Sequence, residues 1–274
     1  MRETEDEQNR VLLDIKRLVD KLELSILIIG AGARILIFDN QYNITGRATT
    51  DLDFAVRVNN WSELKALSTE MTQGDNPLFQ ATRVQHKFIH TLTNIEVDIV
   101  PFGAIGQPSQ EIQWSDGIQM SVLGFDEAFH TAESRRIQDS EFKVVNLSGF
   151  LVLKLIAWND KKARKHLEDI YFILEKYSDD DRVFAELIEE LSQGLIEYEE
   201  ATAFLLGRDI QNTFSQGTIN KLQEILTQIL QTRNSLFPDL ISHRLDQDEW
   251  DAKFDTVVNR FESFKKGLNS TSLE

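Results

Sequence analysis

The chain has no cysteine and little proline, with 4 prolines among 274 residues. Without cysteine it forms no disulfide and offers no thiolate nucleophile or metal ligand, which fits a reducing compartment, and we expect a cytoplasmic protein. It also has no run of about 18 apolar residues, so the sequence predicts no membrane span. The acidic stretch 1–7 is unlike a secretory signal.

The chain is also poor in basic residues: it has 29 Lys and Arg but 45 Asp and Glu, which gives a net charge of −16. Affinity for nucleic acid comes mainly from many Lys and Arg contacts to phosphate, so this composition argues against a broad nucleic-acid-binding surface. It leaves room for a local basic pocket. A basic cluster with no acid inside it is formed by Lys161, Lys162, Arg164 and Lys165. The same pattern also suits an ordinary solvated helix face.

Paired carboxylates are the most informative feature that is present. Asp51 and Asp53 lie two apart in a strand-like segment, so both side chains leave the same face of a sheet. A second strand-like segment carries Asp98 and could bring a third carboxylate beside them. Three converging carboxylates repel one another unless a cation sits between them, and Mg²⁺ is the usual hard, oxygen-binding cation. We therefore predict a Mg²⁺ site at these residues; Glu96, on the same face, is a fourth carboxylate or a solvated acid at the sheet edge.

A small-residue turn precedes these strands. Residues 24–29 form an apolar strand pattern that is followed by Gly30, Ala31 and Gly32, and then by a helical pattern over 31–39. A strand that enters a helix through small residues brings backbone N–H groups close to an anion. The turn therefore predicts a binding site for the triphosphate of an NTP.

The remaining pattern divides the chain into a mixed first part and a helical second part. We expect strands and helices over residues 1–146 and a helical domain over residues 147–274. The predicted first-part elements are helices at 6–22 and 61–71, strands at 51–58, 88–92 and 95–100, and short strands at the sheet edge at 118–123 and 142–145.

This ordered set resembles the nucleotidyltransferase superfamily, and within it the AbiEii/AbiGii toxin-like family. The resemblance covers most of residues 24–207. It implies an α+β fold, with a small mixed sheet flanked by helices over residues 1–146 and a helical second domain over 147–274. The motifs that carry it are Gly30 to Arg34, Arg47 to Asp53, Trp61, Val97 to Gly103, Val122 to Phe125, and Leu153 to Trp158 followed by Asp160, Lys161, Lys165 and Asp169.

The resemblance implies a Mg²⁺-dependent enzyme that moves NMP from an NTP to an acceptor hydroxyl. The residues it implies as catalytic are Asp51, Asp53, Asp98 and Lys154. The residues implied in NTP binding are Gly30, Ala31, Gly32, Arg47, Thr50, Lys161, Lys165 and Asp169. In one unbroken helix Lys154, Lys161 and Lys165 would lie nearly in line, with Asp169 able to pair with Lys165; a break at Asn159-Asp160 would make them a corner instead.

Two departures from the family pattern stand in this chain. The turn Gly30-Ala31-Gly32-Ala33 has no hydroxyl group to bond a phosphate. Asp160-Lys161 and Lys165-His166 stand where the pattern usually shows Asp-Arg and Lys-Asp. An ammonium group keeps the charge of a guanidinium but loses its bidentate geometry.

The resemblance also implies a toxin of a toxin-antitoxin or phage-defence pair that acts on the acceptor end of tRNA, with a cognate antitoxin as partner. An aminoglycoside or a protein hydroxyl is the alternative acceptor, and a catalytically degenerate binding module is the non-enzymatic alternative. The four tryptophans, Trp61, Trp114, Trp158 and Trp250, are expected to be packing anchors rather than base-stacking platforms.

Overall fold

The chain folds into two compact units, Met1–Phe150 and Leu151–Glu274. The computed structural model describes residues 2–34, 36–37, 51–177 and 180–270. The predicted α+β class, with a mixed sheet, flanking helices and a helical C-terminal region, is confirmed. The functional domain limits 1–146 and 147–274 stay a prediction. Among the described residues, no helix is long and apolar enough to cross a membrane.

Unit one is built on a seven-stranded mixed sheet in the order β3-β4-β5-β2-β1-β9-β8, and β6 and β7 form a separate pair. The strands are β1 Ser25–Ile29, β2 Asp51–Arg57, β3 Phe79–Ala81, β4 Lys87–His90, β5 Glu96–Phe102, β6 Glu111–Gln113, β7 Gln119–Ser121, β8 Glu133–Ile137 and β9 Ser140–Val144.

The predicted sheet edge was wrong. β9 lies inside the sheet, parallel to β1 and antiparallel to β8, and β7 pairs with β6 outside this sheet. The edge strand β8 has the sequence Glu-Ser-Arg-Arg-Ile, which lacks the apolar alternation by which a strand is recognised.

The helices of this unit are α1 Arg2–Lys21, α2 Gly30–Arg34, α3 Trp61–Thr72 and α4 Phe125–His130. α3 begins at Trp61 because the Asn60 side chain accepts hydrogen bonds from the backbone N–H groups of Ser62 and Glu63. α1 meets β4 through a buried polar contact, in which His90 Nε2 lies 3.2 Å from Asp14 Oδ2.

The side chains on the two faces of β2 are buried to different depths. Leu52, Phe54 and Val56 are all buried on one face. On the other face Asp51 and Asp53 are half-buried. The far end of this second face is closed by α4, where Phe125 and Phe129 lie 5.9 and 5.7 Å from the ring of Phe102. The acidic end of β2 is therefore the less covered part of the sheet.

Unit two is helical. Its helices are α5 Leu147–Lys161, which begins in unit one, α6 Arg164–Lys176, α7 Asp180–Ser192, α8 Ala201–Thr213, α9 Gln216–Gln231, α10 Arg233–Leu236 and α11 Gln247–Gly267. α8 and α11 are packed backbone to backbone, because a Cβ atom at Gly207 would collide with the carbonyl oxygen of Phe264, and one at Gly267 with that of Phe204.

Candidate active site

The register of β2 against β5 brings the predicted carboxylates together. These strands are parallel, and Asp53 is directly paired with Asp98 while Asp51 is paired with Glu96. Neighbouring strands lie about 4.8 Å apart and paired residues share a face. The four acidic side chains therefore leave the same face of the sheet, at the end that α4 does not close.

The small-residue turn lies directly against one of these carboxylates. Gly30 follows β1 with a φ of +54°, and a Cβ atom at this position would collide with the carboxylate of Asp53. Ile29, the last residue of β1, is paired with Asp53 across the antiparallel ladder. Glycine is thus required twice, by its backbone conformation and by the close approach of the carboxylate. The turn and the acidic face form one structural feature.

Lys87 is part of this face and was missed by the sequence prediction. It lies opposite Asp98 on β4, with its Nζ 3.0 Å from Asp98 Oδ1 and 3.4 Å from Glu96 Oε2. Burial lowers the pKa of the Lys87 ammonium, but the Asp98 and Glu96 carboxylates raise it further, so that the pKa lies above its ordinary value. The sequence contained a signal for this pairing, because a hairpin turn at Thr93-Asn94 places Lys87 opposite Asp98.

The donor atoms of this face bear on its fit to a divalent cation. Among the residues that the structure describes, the buried Oδ1 of Asp98 has no hydrogen-bond partner, although the Lys87 ammonium lies 3.0 Å away as an ion-pair partner. A buried carboxylate oxygen without a donor suits a hard cation. Within the described residues, however, no three acidic or histidine side chains converge into a metal cluster. The residues fit Mg²⁺ in that they offer carboxylate oxygens on one shared face of the sheet. In this structure the Lys87 ammonium supplies the positive charge beside Asp98.

The predicted basic residues lie at a corner between α5 and α6. α5 ends at Lys161, and Lys162 turns the chain with a φ of +50°. The break therefore follows Lys161 instead of Asn159-Asp160. Asp169 pairs with Lys154, not with Lys165: its Oδ2 lies 2.6 Å from Lys154 Nζ, and both side chains are almost buried, at 12% and 14% exposure.

The four residues of the basic cluster are all exposed, but two of them are engaged in contacts with other side chains. Lys162 donates to Gln228 and covers the Trp158 ring at 4.0 Å, and Arg164 is paired with Glu168. Lys161 and Lys165 are exposed. These two are the members best suited to meet a soluble anion.

His166 is a second residue that the sequence prediction missed. It is buried at 7% exposure, and neither ring nitrogen has a hydrogen-bond partner in the part of the chain that the structure describes. Burial first, and then the charges of Lys154, Lys165 and Lys161, lower the pKa of His166 to about 4. The imidazole is therefore neutral at physiological pH. The sequence marks it only as a departure from the family pattern, because burial is not visible in a sequence of helical pattern.

The structure says less about the other predicted site residues. Gly32 packs between the side chains of Ile28 and Leu52, so its role in the fold is close packing. Ala31 lies in α2. Arg47 and Thr50 lie outside the described residues, and their assignment stays a prediction.

Comparison with known families decides the identity of this fold. The model of the family described as "Nucleotidyl transferase AbiEii toxin, Type IV TA system" matches residues 38–264. The chain belongs to this AbiEii family. The predicted family and the predicted enzyme class, nucleotidyltransferase, are thereby confirmed.

Solved structures that resemble this AbiEii protein are distant. An antigenic nucleotidyltransferase-like protein from Paracoccidioides brasiliensis is 16% identical over 69% of this chain and 92% of its own, with a TM-score of 0.43. The antibiotic-resistance factor ANT(2'')-Ia is 12% identical over 69% and 95%, with a TM-score of 0.37. The CCA-adding enzyme of Thermotoga maritima, solved with tRNA, is 12% identical over 97% and 84%, with a TM-score of 0.23. No curated protein matches the chain.

One departure of this AbiEii protein gains meaning from the structure. His166 stands where the family pattern has an aspartate, and its neutral ring lies among three ammonium groups. A carboxylate there would offset part of the basic charge. The cluster in this chain is therefore more positive than the pattern implies.

Proposed function

We propose that this AbiEii protein is a Mg²⁺-dependent transferase that moves NMP from an NTP to an acceptor hydroxyl and releases pyrophosphate. The observation that carries the proposal is the pairing of Asp53 with Asp98 on a sheet face against which the Gly30 backbone is packed. This face combines carboxylates for a metal with backbone N–H groups for a phosphate. Transfer of a phosphoryl group depends almost wholly on such positioning and electrostatics.

The roles follow from the chemistry of each group. Asp51 and Asp53 would hold Mg²⁺, and Asp98 would complete the set and accept the proton of the attacking hydroxyl. When bound, Mg²⁺ supplies positive charge to the triphosphate. The backbone N–H groups of Gly30, Ala31 and Gly32, which lie at the start of α2, would contact the phosphates.

The basic residues have a separate role in this proposal. Lys154, with Lys161 or Lys165, would neutralise the charge that develops on the leaving pyrophosphate. Asp169 holds the Lys154 ammonium in place through their 2.6 Å contact, so it would act as a positioning residue. Arg47 and Thr50 are proposed to contact the NTP on the strength of the family motif alone.

The acceptor that we propose is the end of a tRNA, which would make the protein a toxin with a cognate antitoxin partner. The family description supports a toxin-antitoxin role. The net charge of −16 favours a short basic pocket over a long groove. The same acidity also suits a cationic acceptor such as an aminoglycoside, so this second candidate is included in the test.

The test is to incubate the purified protein and Mg²⁺ with each labelled NTP and, separately, with tRNA, an aminoglycoside or cell protein. We expect label on tRNA, lost on addition of a chelator and in Asp53→Asn. The matched control is Asp75→Asn, an exposed aspartate in the turn after α3, which should label like wild type. Label on another acceptor would replace tRNA in the proposal, and absence of label on all three with no binding of NTP would support the degenerate binding module.

Salt dependence tests the shape of the tRNA site. A local pocket should give a shallow slope, corresponding to roughly two to four phosphate contacts, and a short acceptor-stem mimic should compete about as well as whole tRNA. A steep slope together with failure of the mimic would contradict a pocket in an acidic shell.

A further inference from the structure

Four large apolar side chains are exposed on unit two, on α7 and the segment that follows it. Phe184 and Ile188 are 49% and 55% exposed, and Leu195 and Tyr198 are 59% and 43% exposed. Aromatic side chains have about 150–250 Å² of surface and aliphatic ones somewhat less, so four that are half exposed present on the order of 300–400 Å². The largest apolar patch of a typical monomer has about 300–600 Å² and is often functional.

The backbone brings these four side chains together. Phe184 and Ile188 are four residues apart in α7, so they are neighbours on one face of the helix. The chain reverses at Gly194, which has a φ of +65°, and the Leu195 N–H donates back to a carbonyl at the end of α7. The Tyr198 ring is then stacked on the Phe184 ring, with centroids 5.6 Å apart at 21°. The four side chains form one apolar patch of two adjacent rows.

The core of unit two does not need this patch. α7 is anchored by Val183 and Leu187, which are buried in one cluster with Phe204. Phe184 and Ile188 each follow one of these anchors by one position, and therefore lie about 100° further around the helix. The packing of unit two is complete without them, and polar substitutions there should leave the fold intact.

Acidic residues surround the patch. From Tyr177 to Gly207 the sequence has nine Asp and Glu and one basic residue, Arg182. The Arg182 guanidinium is held by Glu186 at 2.8 Å and by Asp209 at 2.7 Å. The exposed acids next in sequence to the four apolar residues, or one helical turn away, are Asp181, Glu189, Glu197 and Glu199.

This charge decides among the classes of occupant. In a symmetric dimer the same patch meets itself, so a second copy of the chain would bring acid against acid. Nucleic acid and an anionic membrane surface would also be repelled. A partner whose apolar residues are flanked by Lys and Arg is complementary both to the patch and to the acids around it.

We propose that this patch binds a basic amphipathic helix of a partner protein. The Phe184–Ile188 ridge has the i, i+4 spacing that packs into the grooves of another helix. Such a helix would place apolar residues at i, i+3, i+4 and i+7 on the patch and its basic residues beside the acids. The patch contains none of the residues proposed to bind the NTP or Mg²⁺, so the proposal does not depend on the transfer reaction.

The probe for the test is a fluorescent peptide of leucine and lysine, about 18 residues or five helical turns long, with its leucines on one face. Its anisotropy is measured as the full chain is added. We expect saturable binding that is weakened at least tenfold by Phe184→Ser combined with Ile188→Ser. The matched control is Leu92→Ser, which changes a 58% exposed residue of unit one and should bind the peptide like wild type. Urea unfolding of each variant verifies the fold.

Two further peptides separate the apolar contact from general attraction to an acidic protein. One has the same composition with its leucines spread around the helix, and the other has glutamate in place of lysine. Neither should bind where the first peptide saturates. Glu189→Lys with Glu197→Lys should weaken binding of the first peptide at least threefold. Asp75→Lys with Glu111→Lys makes the same charge change at exposed positions of unit one and should have a smaller effect.

Three results would overturn the proposal. The first is equal binding of the peptide with spread leucines, and the second is unchanged binding by the double serine variant. The third is another occupant: a wild-type dimer in sedimentation that the double serine variant lacks would assign the patch to a second copy. Patch-dependent sedimentation of the chain with phosphatidylcholine vesicles would assign it to a membrane.

Discussion

Replacing Lys87 by methionine tests whether the acidic face is built to exchange an internal cation for a metal ion. The substitution keeps the length and packing of the side chain and removes only the ammonium. Asp98, whose side chain is 19% exposed, then loses the cation 3.0 Å away and faces Asp53 on the neighbouring strand. Without Mg²⁺, we expect the Lys87→Met protein to be less stable than wild type.

The magnitude follows from the burial of the pair. Exposed ion pairs contribute about 0–1 kcal/mol, and breaking a fully buried pair costs about 3–5 kcal/mol. With side-chain exposures of 33% for Lys87 and 19% for Asp98, this pair lies between those limits, and we expect a loss of about 2 kcal/mol. Like charges left on Asp53 and Asp98 act in the same direction.

Mg²⁺ should reverse this loss. A ligand that binds only the folded state stabilises it by about 2.7 kcal/mol at a hundred times its Kd. Because the ammonium no longer competes for Asp98, Mg²⁺ should stabilise Lys87→Met more than wild type. The assay is urea unfolding with a chelator and along a Mg²⁺ series.

A matched control is Lys16→Met, which removes an ion pair with Asp20 along the surface of α1. It should lose no more than about 0.5 kcal/mol and show the Mg²⁺ response of wild type. The reasoning is refuted if Lys87→Met is as stable as wild type in chelator, or if Mg²⁺ stabilises the two proteins equally.

Three further predictions concern the turn and the basic corner. Gly30→Ala should abolish transfer in the labelling assay and destabilise the fold by a few kcal/mol in urea unfolding, because the new Cβ collides with the Asp53 carboxylate. The control Gly74→Ala, at a φ of +108° with open space around it, should cost only the backbone strain of about 1 kcal/mol and keep transfer. The pKa of His166 is about 4 in the folded state and about 6.5 in the unfolded state, so the free energy of unfolding falls by about 3 kcal/mol as the pH decreases from 6.5 to 4. His166→Gln should remove this loss in unfolding curves measured across that range, and an unchanged curve would contradict the lowered pKa. Lys154→Met should cost about 3 kcal/mol, because it removes the cation 2.6 Å from the nearly buried carboxylate of Asp169. Lys154→Met combined with Asp169→Leu should recover stability but not transfer, and recovery of transfer would exclude a role for Lys154 in the reaction.

Local periodicity explains why much of the first unit could be predicted. The Asp51 and Asp53 side chains share a face because the period of a strand is two, and this is independent of the rest of the fold. The hairpin around Thr93-Asn94 follows from turn residues between two apolar strands. The polar strand β8 has no such pattern, so the position of β9 inside the sheet was not predictable from it.

The basic corner shows a different limit. A helical pattern gives spacing along one axis, and from it Asp169 was expected beside Lys165. The actual partner is Lys154, 15 positions away, because the chain turns at Lys162 and brings α6 back against α5. The burial of His166 has the same origin.

The sequence by itself determined the family, the α+β class and the identity of the acidic strands, because these depend on residue order and local periods. Only the tertiary structure decided which distant residues meet: Asp53 with Asp98, Lys87 with Asp98, and Trp61 with Trp114. The physical reason is that the register between separate strands and the packing of a helix on a sheet are set by the whole core at once. A local pattern constrains which face a side chain occupies, and the fold determines what it faces.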